Sequence, residues 1–515
     1  MTLAYANKTL RRAILVVVVI SASLVCVELI ARRIDGYSLA SWRLIRVRAP
    51  KSSPDAVMAS YVDQIAVASG LDRSWFAEDP LEASGGYPAS DPVLAERYWS
   101  HRGLELSGVY EWNLEFLRGA ACAADPSRPP HQNVVATVFP VGELFVFEPL
   151  GRAPFPRYRF LRNAQYPSGI TTNSFGWRGP ELPLNKPDNT IRIAFVGAST
   201  TAAPHSFKYS YPDYIRSWLQ RWKAASQLPV QFEVINAGRE GIDSTSIAAI
   251  VRDELAAVDP DIVLYYEGAN QFGLADYIVW PGGIIPSRPR HTGAWLLESV
   301  SALVVRLRGL RDPFTVRRDE PRKPRLPVAW PADLDERDPQ LDHPRLTLEL
   351  PTIMRDLDAM RAALSAQGGR LAMSSFVWCV KDGMQLDPDN DVGVYGYLNE
   401  MFWPFSYAYI RRLADFQNRA FQKYATTRGL DFIDIAASYP LDPRLFDDGV
   451  HMTQSGTKLM AWIGFQRLVP ILERSIAAGT LPRASRSHLS SHPDFAGPPR
   501  KLMTVASIRA SCPGS

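Results

Sequence analysis

The chain has 515 residues, 46% hydrophobic and 21% charged, with a formal net charge of +4. That length holds one large domain with appendages or about two to three ordinary ones, and the apolar share excludes a chain disordered throughout. So small a charge, with no motif interleaving basic and aromatic residues, excludes nucleic acid as an expected partner.

In chain order the first element is apolar. Residues 13–30, AILVVVVISASLVCVELI, follow Lys8, Arg11 and Arg12 and precede Arg32 and Arg33. Eighteen helical residues rise roughly 27 Å, close to the hydrocarbon thickness of a bilayer. Glu28, the single charge in the run, lies near the distal end within reach of headgroups. The expectation is a cytoplasmic stub and transmembrane signal anchor over residues 1–33. A cleaved signal peptide is the rival, with Ser21-Ala22-Ser23 as its small-residue site. A lipoprotein cut before Cys26 fits poorly because Val25 is bulky, and a buried core helix is opposed by the terminal position and basic flanks. Both flanks are basic, so charge leaves the orientation open, but either export reading puts the bulk of the chain outside the cytoplasm.

Residues 34–164 mix Pro, Gly and polar clusters with short aromatic runs and are expected to form an accessory region. Within it VVATVFP and ELFVFEPL read as a β-hairpin turning at Val141-Gly142. From Arg192 the rhythm becomes strand-then-helix. Strands are expected at 191–197, 232–238, 261–268, 370–378 and 431–435, with amphipathic helices near 211–226, 244–258, 345–367, 405–428 and after Thr453. Five strands separated by helices predict a three-layer α/β/α sandwich on a mainly parallel five-stranded sheet, with strand C-terminal ends along one ligand-binding edge. Residues 279–342 interrupt that rhythm with Pro- and Arg-rich stretches around LLESVSALVVRLRGL, a cap-like or disordered insertion. A disordered tail is expected over residues 478–515.

Cys26, Cys122, Cys379 and Cys512 are too scattered for a disulfide framework or a zinc spacing, and the eight histidines form no paired-ligand pattern. No metal and no cofactor is therefore expected. The chemistry-bearing candidates sit at strand ends. RIAFVGASTTAAP ends an apolar run in small residues, so Ser199 is either the N-cap of the next helix or a nucleophile. In FDDGVHMTQSG, Asp448 and His451 stand three apart before a helix, spaced so that a turn brings the carboxylate to Nδ1 and leaves Nε2 free. Each also reads as a turn or helix-entry residue. Gly241 follows the second strand, where a backbone N–H can approach a ligand closely. Asn270 follows the third, where it is either a helix cap or a side-chain donor to developing negative charge.

GAST at Ser199, NAGREG ending at Gly241, GAN ending at Asn270 and DGVH ending at His451 resemble, in order, the four sequence blocks of the SGNH (GDSL-type) hydrolases. The stretch TTNSFGWRGPELPLNKPDNTIRIAFVGASTT is similar to the lead-in of bacterial, carbohydrate-linked members, and the resemblance runs over about residues 165–475 of a catalytic domain drawn at 165–477. It implies Ser199 as nucleophile, His451 as general base and then acid, Asp448 as the group orienting the imidazole, and an oxyanion hole from the amides of Ser199 and Gly241 with the Asn270 side chain. Ala198 stands where the family commonly has an acidic residue, and Gln271 where it has Asp. The G-x-S-x-G of ordinary lipases is absent.

The expected activity is that of a serine esterase removing O-acyl groups, acetyl above all, from an envelope or extracellular carbohydrate. One alternative is a polysaccharide O-acyltransferase using the same triad beside a membrane acyl-donor protein. Another is a non-catalytic glycan-binding scaffold. The aromatic segment YGYLNEMFWPFSYAY (395–409) offers ring stacking to sugars, or simply core packing.

Overall fold

TIRIAFVG forms strand β1 (Thr190–Gly197), and every one of its residues is buried. Such a run, apolar on both faces, needs helices on both sides, which is the environment of a central parallel strand. The structure is a computed structural model and describes residues 2–34, 54–81, 170–203, 208–273, 301–304, 330–331, 333–388, 390–486 and 489–490, with residue 39 and short strand segments at 106–107, 147–149, 158–160 and 502–503. Beside β1 lie β2 (Gln231–Asn236), β3 (Ile262–Tyr266), β4 (Arg370–Ser374) and β5 (Asp431–Ile433). Their order is β2-β1-β3-β4-β5 and every pairing is parallel. The three-layer α/β/α sandwich expected from the sequence is the architecture found.

The helices that matter below are α1 (Thr2–Ile34), α2 (Pro54–Gln64), α3 (Ser199–Ala202), α4 (Tyr211–Ala225), α5 (Ser244–Ile250), α6 (Leu350–Ala366), α7 (Val392–Gly396), α8 (Tyr407–Arg428) and α9 (Gln454–Ala477). Local sequence sets their ends. The Asp213 carboxylate accepts from both the amide and the hydroxyl of Ser210 to start α4. Ser406 caps α8 and Gly429, at φ +65°, ends it; Thr453 caps α9. Helices α4 and α9 pack on one another on one face, and α5, α6 and α8 cover the other. Trp218 of α4 meets Trp462 of α9 edge to face at 4.9 Å, burying two of the largest side chains in the molecule. The helix expected over 244–258 stays α-helical only to Ile250, then widens into a π-helical turn and a final 3₁₀ turn.

Residues 54–81, expected in an accessory region, pack on the α4–α9 layer: Tyr61 donates to Asp442 at 2.8 Å, and Phe76 stacks on Trp218 with centroids 6.3 Å apart. The chain expected to become a disordered tail at 478 is packed as far as Arg486, because Leu481 is buried and Arg483 pairs with Asp259 and Asp261 beneath the sheet. Of the expected hairpin, Phe147–Pro149 pairs antiparallel with Tyr158–Phe160 downstream; its first arm and turn lie outside the described residues. So does most of the 279–342 insertion. Its end, from Trp330, lies on the outside of α8, where Trp330 meets Phe416 edge to face and Arg412 and Glu336 form an ion pair at 2.6 Å. The segment 395–409 is largely packing: Phe402, Phe405 and Tyr407 are buried.

The N-terminal helix α1 includes Ile14–Ile34, 21 residues long and apolar enough to cross a membrane or to serve as a signal sequence. Its Glu28 accepts from the Ser301 hydroxyl and from the amides of Ala302 and Leu303 at 2.8 to 2.9 Å, and from Arg32 at 2.8 Å.

Candidate active site

Ser199 opens α3 at the C-terminal end of β1. The cap position belongs to Ala198, which makes no side-chain cap bond, so the helix-cap reading of Ser199 fails. The Ser199 hydroxyl instead lies 2.7 Å from Nε2 of His451, across 252 residues of sequence. Ala198 is buried while Ser199 is half-exposed, leaving the hydroxyl at the open edge of the sheet.

His451 arrives on the turn between β5 and α9. Asp448 builds that turn: Oδ1 accepts the amides of Val450 and His451, both at 2.8 Å. Its Oδ2 lies 2.7 Å from Nδ1 of His451. A carboxylate can only accept, so Nδ1 carries the proton and Nε2 presents a lone pair to the Ser199 hydroxyl. Burial pushes the Asp448 carboxyl up, but the His451 hydrogen bond, its charge and the backbone amides outweigh that and hold it below the usual carboxylate range. Burial alone would lower His451. The hydrogen bond and charge of Asp448, with the charges of Glu240 and Glu267, hold it above the ordinary imidazole value.

The other expected residues come from the turns after β2 and β3. Gly241 has φ +64°, a left-handed conformation that explains glycine there, and it is exposed at the same edge. Asn270 is exposed too, and its side-chain amide donates to the carbonyl of Ile242 at 2.7 Å, joining the two turns. Gln271 accepts the amide of Ser244 at 2.7 Å and so fixes the start of α5. Among the described residues no cluster of His, Cys, Asp or Glu is able to hold a metal ion.

No family model matches the sequence, and no curated protein matches it. Solved structures do. An acetyl xylan esterase aligns at 15% identity over 53% of this chain and 97% of its own, with a TM-score of 0.30. A lipase/acylhydrolase from Enterococcus faecalis aligns at 14% over 58% of this chain and 100% of its own, with a TM-score of 0.29. A variant of an acetyl xylan esterase from Geobacillus stearothermophilus aligns at 15% over 53% and 95%, also at 0.29. Each likeness covers between 53% and 58% of this chain.

Several residues that shape this site were not legible beforehand. Arg178, buried, donates to the carbonyl of Ala202 at 3.0 Å, to that of Ala203, and to that of Lys208 at 3.0 Å, clamping the turn that follows α3. Asn236, the last residue of β2, donates to the carbonyl of Thr201 at 2.8 Å and accepts from the amide of Gly238 at 3.1 Å. Glu267, directly after β3, accepts the amides of Ala269 and Asn270 at 2.8 Å each. Arg178 carried a signal through the lead-in stretch that contains it and Asn236 through the NAGREG block it opens, whereas Glu267 carried none.

Proposed function

We propose that the protein is a serine ester hydrolase with Ser199 as nucleophile, His451 as general base and then acid, and Asp448 as the group that orients and charges the imidazole. The observation that carries the reading is the unbroken relay of two 2.7 Å contacts, Ser199 Oγ to His451 Nε2 and His451 Nδ1 to Asp448. The Ser199 oxygen attacks the acyl carbonyl while its proton passes to Nε2. The carbonyl oxygen becomes an oxyanion, taken by the amides of Ser199 and Gly241 and the side chain of Asn270. The imidazolium then protonates the departing alcohol, leaving an acyl-serine. Water, deprotonated by Nε2, attacks that ester, and the returned proton frees Ser199 with release of the carboxylic acid.

The substrate class we propose is an O-acylated, chiefly O-acetylated, carbohydrate of the cell envelope, with α1 as a single-pass inner-membrane anchor and the site on the extracytoplasmic side. The open placement of Ser199, Gly241 and Asn270 at the sheet edge suits a small acyl group on a large carrier. The test is hydrolysis of an aryl acetate by wild type and Ser199→Ala, followed by partition of the acyl-enzyme between water and saccharide acceptors. Hydrolysis that depends on Ser199, with partition to water, supports the esterase. Transfer to the saccharide makes the protein an acyltransferase. Glycan binding with equal inertness of both proteins leaves a scaffold and sinks the catalytic reading.

A further inference from the structure

We propose that Glu267 is a positioning residue that sets the Asn270 turn against the Gly241 turn, so that both expected oxyanion donors face one point; the inference rests on the ester-hydrolase reading. Glu267 is 2% exposed. Its Oε1 accepts the amides of Ala269 and Asn270, both at 2.8 Å, which folds the chain back immediately after β3. That fold carries the Asn270 side chain over to the Ile242 carbonyl at 2.7 Å, one residue beyond Gly241. From the opposite side Gln417 of α8 donates to the carbonyl of Gly268 at 2.8 Å. The turn is therefore held at consecutive peptides by two buried side chains.

The remaining oxygen of Glu267, Oε2, is buried with no hydrogen-bond partner among the described residues. Burying a carboxyl this incompletely satisfied is costly. Burial pushes the group up to about 7, against the amides of Asn270 and Ala269 that pull it down. A leucine here would pack without that cost, but it would leave the amides of Ala269 and Asn270 unbonded. One buried carboxyl thus holds the backbone that carries Asn270.

The test is steady-state hydrolysis of an aryl acetate by the full chain and its variants. Glu267→Ala and Glu267→Asp, which is too short to reach the amides, are expected to lower kcat about 100-fold, the scale of a small misplacement of reacting groups, with KM changed less than about threefold. Glu267→Gln keeps an acceptor oxygen and is expected to recover to within about fivefold of wild type. In an Asn270→Ala background Glu267→Ala is expected to cost nothing further, because the residue acts through Asn270. Glu267→Ala within twofold of wild type overturns the proposal, as do penalties that multiply in the double variant. If the alanine and aspartate variants both fail to fold by circular dichroism, Glu267 serves the fold alone and the proposal falls. A wild type without Ser199-dependent turnover removes the parent reading and this one together, whereas an active wild type with indifferent Glu267 variants removes this one only.

Discussion

Asp448 uses its two carboxylate oxygens for different tasks: Oδ1 shapes the turn through two amides and Oδ2 orients the imidazole. Asp448→Asn keeps an acceptor for the turn but turns an amide N–H toward Nδ1, favouring the wrong tautomer. The expected result is a loss of about 10⁴ in kcat with folding retained, measured by turnover beside thermal melting. Because His451 is held above its ordinary value, kcat/KM is expected to fall as pH drops through a midpoint higher than that of free histidine. Stability runs the other way: the pairing that favours the imidazolium stabilises the folded state most at low pH, and that contribution is lost as pH rises through the folded-state value. An acid limb at or below the free-histidine value would contradict the assignment. Asn270→Ala is expected to cost about 10² to 10³ in kcat as a lost oxyanion donor. The meeting of Ser199, His451 and Asp448 could be anticipated because Asp448 and His451 sit three apart in a turn before a cap and Ser199 ends an apolar strand. Glu267 was not legible, since YYEGAN reads as a strand end and only burial turns its carboxylate inward.

Elements hold Ser199 and its short helix through close approach. A Cβ on Gly238 would stand 2.6 Å from the Ala202 amide nitrogen and 2.8 Å from the Thr201 Cβ, so the turn after β2 presses directly on α3. Gly238→Ala is expected to destabilise by about 1 to 3 kcal/mol through overpacking and to slow turnover by shifting α3; unchanged melting and unchanged kcat would place the packing elsewhere. Arg178 secures the same C-terminal end of α3 through the carbonyls of Ala202, Ala203 and Lys208. The strands and principal helices were readable because their apolar periods are strong and local. The widening of α5 after Ile250 was not, because hydrophobic spacing does not report which carbonyl each amide chooses. Nor was the packing of Arg483 against Asp259 and Asp261, which depends on charges more than 220 residues apart.

At the scale of the whole molecule, alternation of strands and helices made the parallel sandwich readable, whereas the order β2-β1-β3-β4-β5 depends on long-range pairing that local patterns do not carry. That order sets the turns after β1, β2 and β3 side by side and brings the turn after β5 to the same edge. The apolar segment Ile14–Ile34 separates two fates for the chain. An uncleaved anchor predicts that mass spectrometry of the membrane fraction recovers peptides covering residues 1–34, and that alkaline carbonate fails to extract the protein. A mature N-terminus following Ser23 would instead mark a cleaved signal peptide. The most direct test of the central claim is intact-mass and peptide mapping after treatment with a fluorophosphonate probe. A single adduct on Ser199, formed by wild type and lost in His451→Ala, is the predicted result. An adduct on another residue, or one on Ser199 formed equally fast without His451, would contradict it.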